Sequence, residues 1–290
     1  MQKATLACLM VFVLGAGIEA AEPGKEDCAA AVAALKKTLG NEFIVRAESP
    51  FVVAGNLSAG EFNAFAQQTV MGCYKAFYHD FFDTKPDQII TVYLFKGDAS
   101  YRKWAEKLFG DTNVSHYGYY KPGQRALVMN ISTGGGTLVH EMTHALAHFD
   151  FPEIPAWFNE GMGSLFEQCS TEGGHLKGLI NWRYLVLKRG LDNNRLVQLK
   201  DLVATDSEGF YKDPYGMHYA EARYLCMYLQ EKGHLPKFYK QFRANHEQDP
   251  TGRKTLEEVT GEKIDVIEKN WLAWVYKLKS DGCGAEPVLK

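Results

Sequence analysis

The 290-residue chain is short of most features that would betray a function directly. It has no stripe of Lys and Arg, and its formal net charge is −3. Nucleic acid is therefore not an expected partner. After the first residues, no apolar run approaches the roughly 20 residues that a membrane-spanning helix needs. The six cysteines form no C-x-x-C pair and no zinc-ribbon spacing. There is no internal repeat and no long linker, so residues 21–290 read as one unit.

The ends and the composition add context. Residues 1–20 have the form of a secretory signal: Lys3 gives the charge, Leu6 to Gly17 is apolar, and Ala20 or Ala21 can end the cleaved segment. The expected location is periplasmic or extracellular, with no span left after the signal is removed. Cys8 would leave with it. Cys28, Cys73, Cys169, Cys226 and Cys283 remain, and export permits disulfides among them. Five is odd, so at least one thiol is unpaired or pairs outside the chain, and spacing alone gives no connectivity. Hydrophobic residues make up 46% of the chain, enough for a full core at this length.

One segment carries chemistry. His140-Glu141-Met142-Thr143-His144 reads H-E-x-x-H within an apolar stretch with helical character. Two His four residues apart share one helix face, about 6 Å apart along the axis. Both can reach one Zn²⁺ at about 2.0–2.1 Å. Glu141 lies about 100° around the helix from His140, where it can hold a water rather than join the ligands. Catalytic zinc usually takes three protein ligands. His148 continues the series but lies about 12 Å from His140 along the axis, too far to share the ion. Glu160 is the better candidate. It follows Pro152 and Pro155, which end one helix and start another that can turn back antiparallel.

H-E-x-x-H followed by Pro155-Ala156-Trp157-Phe158-Asn159-Glu160-Gly161 resembles the gluzincin, or peptidase MA-like, zinc metallopeptidases, of which thermolysin is a familiar member. The small exported bacterial proteins of that group are most similar. The resemblance is motif-level at 137–167 and looser over 88–278. It implies His140, His144 and Glu160 as zinc ligands and Glu141 as general base. It also implies an oxyanion donor on a later helix, with Tyr219 favoured, then Tyr215, then His218. Aromatic packing is the plain alternative for these three. In many gluzincins an acidic residue four positions after the ligand Glu orients a ligand His. Here that position is Ser164, a weaker acceptor, with Glu167 a possible substitute from the next turn.

The fold expected is α+β: a small mixed β-sheet lobe (21–149) that includes the H-E-x-x-H helix, packed on an all-helical lobe (150–279), with a thermolysin-like zinc cleft between them. Helices are expected at 28–39 and 59–82, and one starting at Asp98 and ended by Gly110. Strands are expected at 43–53 and 88–95, and a hairpin at 117–131 turns through a type II turn at Lys121-Pro122-Gly123-Gln124. By the resemblance, the outer strand of that hairpin pairs with extended substrate. Gly134-Gly135-Gly136 reads as a tight strand-to-helix turn, with a hinge as the alternative. Beyond residue 150 only helices are expected (155–168, 177–190, 215–232, 235–246 and 263–279), with 206–211 a loop bordering the cleft.

The leading expectation is thus an exported zinc metallopeptidase acting on a peptide or protein substrate. The absence of a G-x-M-E-N-type motif leans towards endopeptidase action. One rival is a zinc protein of little or no turnover that binds peptide or cell-envelope material. Another keeps the hydrolytic chemistry on a non-peptide amide.

Overall fold

A computed structural model describes residues 22–279 of the chain. The secretory-signal expectation, Cys8 and Cys283 lie outside the described residues. The architecture is mixed α+β.

Five strands, β1 (Ile44–Glu48), β2 (Phe51–Gly55), β3 (Ile90–Phe95), β4 (Gly118–Lys121) and β5 (Ala126–Asn130), form one sheet in the order β1-β2-β3-β5-β4. The three central strands are parallel and the two outer ones antiparallel. The centre is apolar on both faces because helices cover both. Along β2, Phe51 and Val53 join one core while Val52 and Ala54 join the other. In β3 the same alternation sends Ile90, Val92 and Leu94 one way and Tyr93 and Phe95 the other.

The second face carries α1 (Lys25–Leu39) and α4 (Asp98–Phe109), the latter ended by Gly110 at φ 72°. The first face carries the long helical stretch of α2 (Ala59–Asn63), π turns at Ala64–Met71 and α3 (Gly72–Asp80), together with α5 (Gly136–Asp150). Ser58 and Glu61 form a capping box at the start of α2.

The remaining helices are α6 (Ala156–Phe166), α7 (Arg183–Asp192), α8 (Leu199–Ala204), α9 (Ser207–Tyr211), α10 (Met217–Glu231), α11 (Leu235–Asn245), α12 (Arg253–Thr260) and α13 (Ile264–Val275). An aromatic cluster ties α6 to α11: Phe158 and Phe238 stack edge to face at 5.0 Å, and Trp157 and Phe242 lie face to face at 6.4 Å.

Four local expectations need correction. The 43–53 strand is a hairpin, because Ser49-Pro50 turns the chain between β1 and β2. The Lys121–Gln124 turn is not type II. Pro122–Gln124 forms a 3₁₀ turn, and the left-handed residue is Arg125 (φ 48°) rather than Gly123. The region after residue 150 is not all helix. β6 (Cys169–Glu172) and β7 (His175–Gly178) form a hairpin around Gly173 and Gly174, both at positive φ, which is the geometry of a type I′ turn. This delays the next helix from 177 to Arg183. Finally, 206–211 is not a loop, since Asp206 caps α9 through Gly209 N at 2.7 Å.

Candidate metal centre

The site grows from two helices held closer than side chains normally allow. Gly134 takes φ 98° as the chain leaves the sheet. At Gly136 a Cβ would lie 2.3 Å from the Glu167 carbonyl oxygen, so only glycine lets the start of α5 meet the end of α6. The triple glycine is thus a turn plus a close contact.

Contacts between the two helices run in opposite directions: Gly136 meets Glu167, His140 meets Gly163, and His144 meets Asn159. The helices are therefore antiparallel. Two further glycines let α6 sit between its neighbours. A Cβ on Gly163 would stand 2.9 Å from His144 Cε1 and 3.2 Å from two ring atoms of His140. A Cβ on Gly161 would stand 2.8 Å from Cys226 Sγ and 2.9 Å from the Ala222 carbonyl oxygen, both on α10. The two positions are about 200° apart around the helix, so one glycine faces α5 and the other α10.

This packing brings His140, His144 and Glu160 together, with one donor atom from each inside a 4.8 Å group. Glu160 Oε2 lies 3.3 Å from His140 Nε2 and 3.5 Å from His144 Nε2. Yet that oxygen is buried without a hydrogen-bond partner. A buried carboxylate oxygen facing two imidazoles without an aligned donor is what a cation would complete. The separations also suit a tetrahedral ion with ligand arms of about 2.0–2.1 Å, whose edges are about 3.4 Å. His144 fits further: its Nδ1 donates to Asn159 Oδ1 at 2.9 Å, which leaves the Nε2 lone pair for a metal. His148 is exposed and stays apart from the group.

The electrostatics of these side chains follow from burial and proximity. Burial opposes ionisation of Glu160, but the two imidazoles outweigh it and hold its pKa below the usual carboxylate range. Burial pushes the His144 imidazole down, while Glu160 raises it further, up to about 9. For Glu141, burial dominates and raises the carboxyl against the pull of both His.

Glu141 is not one of the three grouped donors, and its Oε2 accepts the Tyr120 backbone N–H at 3.1 Å. Tyr120 belongs to β4, the edge strand, so this amide faces outwards and not into the sheet. Beside it opens a cavity of about 290 Å³, walled by Gly118, His140, Glu141, Trp182, Arg183 and Tyr219. A larger hollow of about 480 Å³ beside Tyr228, Glu262 and Trp274 gathers no comparable donors.

Of the three later candidates, only Tyr219 reaches this cavity. Burial and the nearby Glu160 both raise its phenol. Tyr215 is 66% exposed and packs against Arg195. His218 is turned to the Phe210 carbonyl oxygen at 3.2 Å.

Two residues at the site went unread in the sequence. Tyr211 donates its hydroxyl to Glu160 Oε1 at 2.8 Å. Its signal was Asp206, a helix cap that turns the supposed loop into α9. Asn159 holds His144, and its signal was its place directly before Glu160. Neither Ser164 nor Glu167 hydrogen-bonds to His140 or His144. Ser164 Oγ and His140 Nδ1 are both buried without hydrogen-bond partners. Glu167 instead pairs with Arg183 Nη1 at 3.3 Å and Asn181 Nδ2 at 3.4 Å.

A second cluster, His79, Asp80 and His175, also gathers three donors. Both Nδ1 atoms already bond Asp80 Oδ1, at 3.0 and 2.7 Å, and both rings are more than half exposed. Its hydrogen bonding is complete without an ion. Among the described residues no helix is long and apolar enough to cross a membrane. In comparisons with known proteins, no family model and no curated sequence matches this chain.

Proposed function

We propose that the chain is a zinc-dependent metallopeptidase of gluzincin type, exported, with a thermolysin-like cleft between its sheet and its helical lobe. The observation that carries this reading is the unpartnered Glu160 Oε2 between His140 Nε2 and His144 Nε2, with Glu141 on the next helical position beside an open cavity. His140, His144 and Glu160 would hold the ion. When bound, zinc supplies Lewis acidity towards an attacking water and the scissile carbonyl oxygen.

The chain's own residues do the rest. Glu141 takes the proton of the attacking water and delivers it to the leaving amine nitrogen. Its carboxylate is steadied by the Tyr120 amide, so the base keeps its aim. Extended substrate pairs with the outer edge of β4 at Gly118, which has the same outward parity as Tyr120, whose own amide is taken by Glu141. Backbone pairing of this kind gives affinity without strict sequence choice. Tyr219 donates its phenol hydrogen to the oxygen that gains charge at the tetrahedral stage. Tyr211 positions Glu160 through its hydroxyl.

A second reading is a zinc protein that binds peptide or cell-envelope material with little or no turnover. The unpartnered His140 Nδ1 favours it, because an unsupported imidazole is a weaker and looser ligand. The two readings part in one experiment: zinc content and peptide hydrolysis of the parent, His144→Ala, Glu160→Ala and Glu141→Gln. The peptidase reading expects about one zinc per chain, lost in both ligand variants. It expects Glu141→Gln to keep zinc and lose at least about 10²–10³-fold in turnover. Zinc retained without Glu160 would overturn the ligand set. Undiminished turnover in Glu141→Gln would overturn the mechanism. Full zinc with no turnover by the parent, on peptides or other amides, would favour the binding protein.

A further inference from the structure

Cys73 and Cys169 are 96 positions apart in sequence, yet they line one cavity where α3 meets β6. Cys73 lies in α3, which packs on the sheet, and Cys169 opens β6, directly after the ligand helix α6. Cys73 is 5% exposed and Cys169 is less deeply buried, and the cavity that both line holds about 390 Å³. Gly136 and Glu167, the two residues where α5 and α6 touch, line that same cavity. Cys226 is different: it is fully buried and packs against Gly161.

We propose that Cys73 and Cys169 form a disulfide that fastens α3 to the β6–β7 hairpin behind the metal-binding helices. Two thiols at one cavity, Cys73 the more buried and Cys169 the less, provide an entry order for the chemistry. The Cys169 thiolate attacks a small disulfide oxidant such as glutathione disulfide. A mixed disulfide forms and one glutathione thiolate leaves. Cys73 then attacks Cys169 Sγ, and the second glutathione leaves. Two electrons pass to the oxidant, and the two thiol protons end on the two released glutathione molecules. The nearby Cys73 thiol, and further off the Arg223 guanidinium, favour the Cys169 thiolate over burial, which suits its role as attacker.

The link would close a loop of roughly 100 residues, which places it among the more stabilising cross-links. It would also fix the hairpin that continues from α6, and so the helix bearing Glu160. Of the five cysteines after residue 21 it pairs two, leaving Cys28, Cys226 and Cys283. The proposal stands apart from any metal reading.

The test uses the full chain, purified reduced, then incubated with glutathione disulfide at pH 8. After denaturation and alkylation, peptide mass spectrometry should show the Cys73 and Cys169 peptides joined, with two fewer alkylated thiols than in the reduced chain. In Cys73→Ser, Cys169 should instead carry glutathione or the alkylating group. Reduction should lower the Tm of the oxidised parent by on the order of 10 °C and leave Cys73→Ser/Cys169→Ser unmoved. The proposal fails if both cysteines remain alkylatable after oxidation, or if either pairs with another cysteine. It fails equally if glutathione stays on Cys169 in the parent.

Discussion

At the scale of single residues, the site depends on atoms that are missing as much as on atoms that are present. Gly163 has no Cβ, and the two imidazoles occupy the space that one would fill. Gly163→Ala should therefore displace His144 and His140 without unfolding the chain. We expect zinc affinity to fall at least about tenfold, as losses in ligand orientation do, with the circular dichroism spectrum unchanged. Competition with a chelating dye measures this, and parent-like affinity would mean that the rings can yield. The His140-Glu141-x-x-His144 spacing was legible in sequence because a helix fixes which side chains share a face. Glu160 was legible from the prolines that reverse the chain before it. Asn159 and Tyr211 were not, since each acts on a partner fixed only by packing between helices.

Elements meet through glycine too, but with a different consequence. Gly161 faces α10, where an added Cβ meets the Ala222 backbone and the Cys226 sulfur. Backbone cannot swing aside, so Gly161→Ala should force α6 and α10 apart. The expected cost is about 1–3 kcal/mol, the usual range for overpacking, read as a lowered denaturation midpoint. An unchanged midpoint would show that α6 can shift without cost. Gly163 thus guards the two imidazoles, while its near neighbour Gly161 guards the fold. At this scale the sequence was also misread most. The β6–β7 hairpin was missed although Gly173-Gly174 is a recognisable two-residue turn. Its strands are four residues each and mostly polar or charged, so the apolar signal is weak. The central strand β3 was easier, being a continuous β-branched and aromatic run.

For the whole molecule, stability should depend on pH and on metal. Glu221 in α10 is fully buried, and burial, the largest influence, pushes its carboxyl up to about 9 against an unfolded value of 4.5. Between these values the folded chain holds a proton there that the unfolded chain has lost. Stability must then fall as pH rises through that window, because the native state binds more protons. Glu221→Gln mimics the protonated group. It should raise Tm at pH 8, by an amount on the order of a few kcal/mol in stability. The gain should shrink towards zero near pH 4.5. Melting curves across this range decide it, and a gain that is constant with pH would contradict the assignment. Metal acts on the same scale. If zinc binds only the folded chain, a chelator should lower Tm, by about 4 kcal/mol of stability at 1,000 times Kd. Glu160→Ala should show no such response; a chelator effect of equal size in that variant would point to a different site.

What the sequence determined alone is whatever depends on neighbours along the chain. It held the helix bearing His140 and His144, the chain reversal before Glu160 and the buried β-branched strand β3. Only the tertiary structure decided which distant groups meet: Tyr211 with Glu160, Tyr120 with Glu141, Glu167 with Arg183 and Cys73 with Cys169. It also decided that Tyr219, and not Tyr215 or His218, lines the cavity. The physical reason is the same throughout. Helical and strand periods fix a side chain's direction from its own element. Its partner is fixed by how closely two elements approach, and here glycines at 136, 161 and 163 set that approach through atoms they do not have.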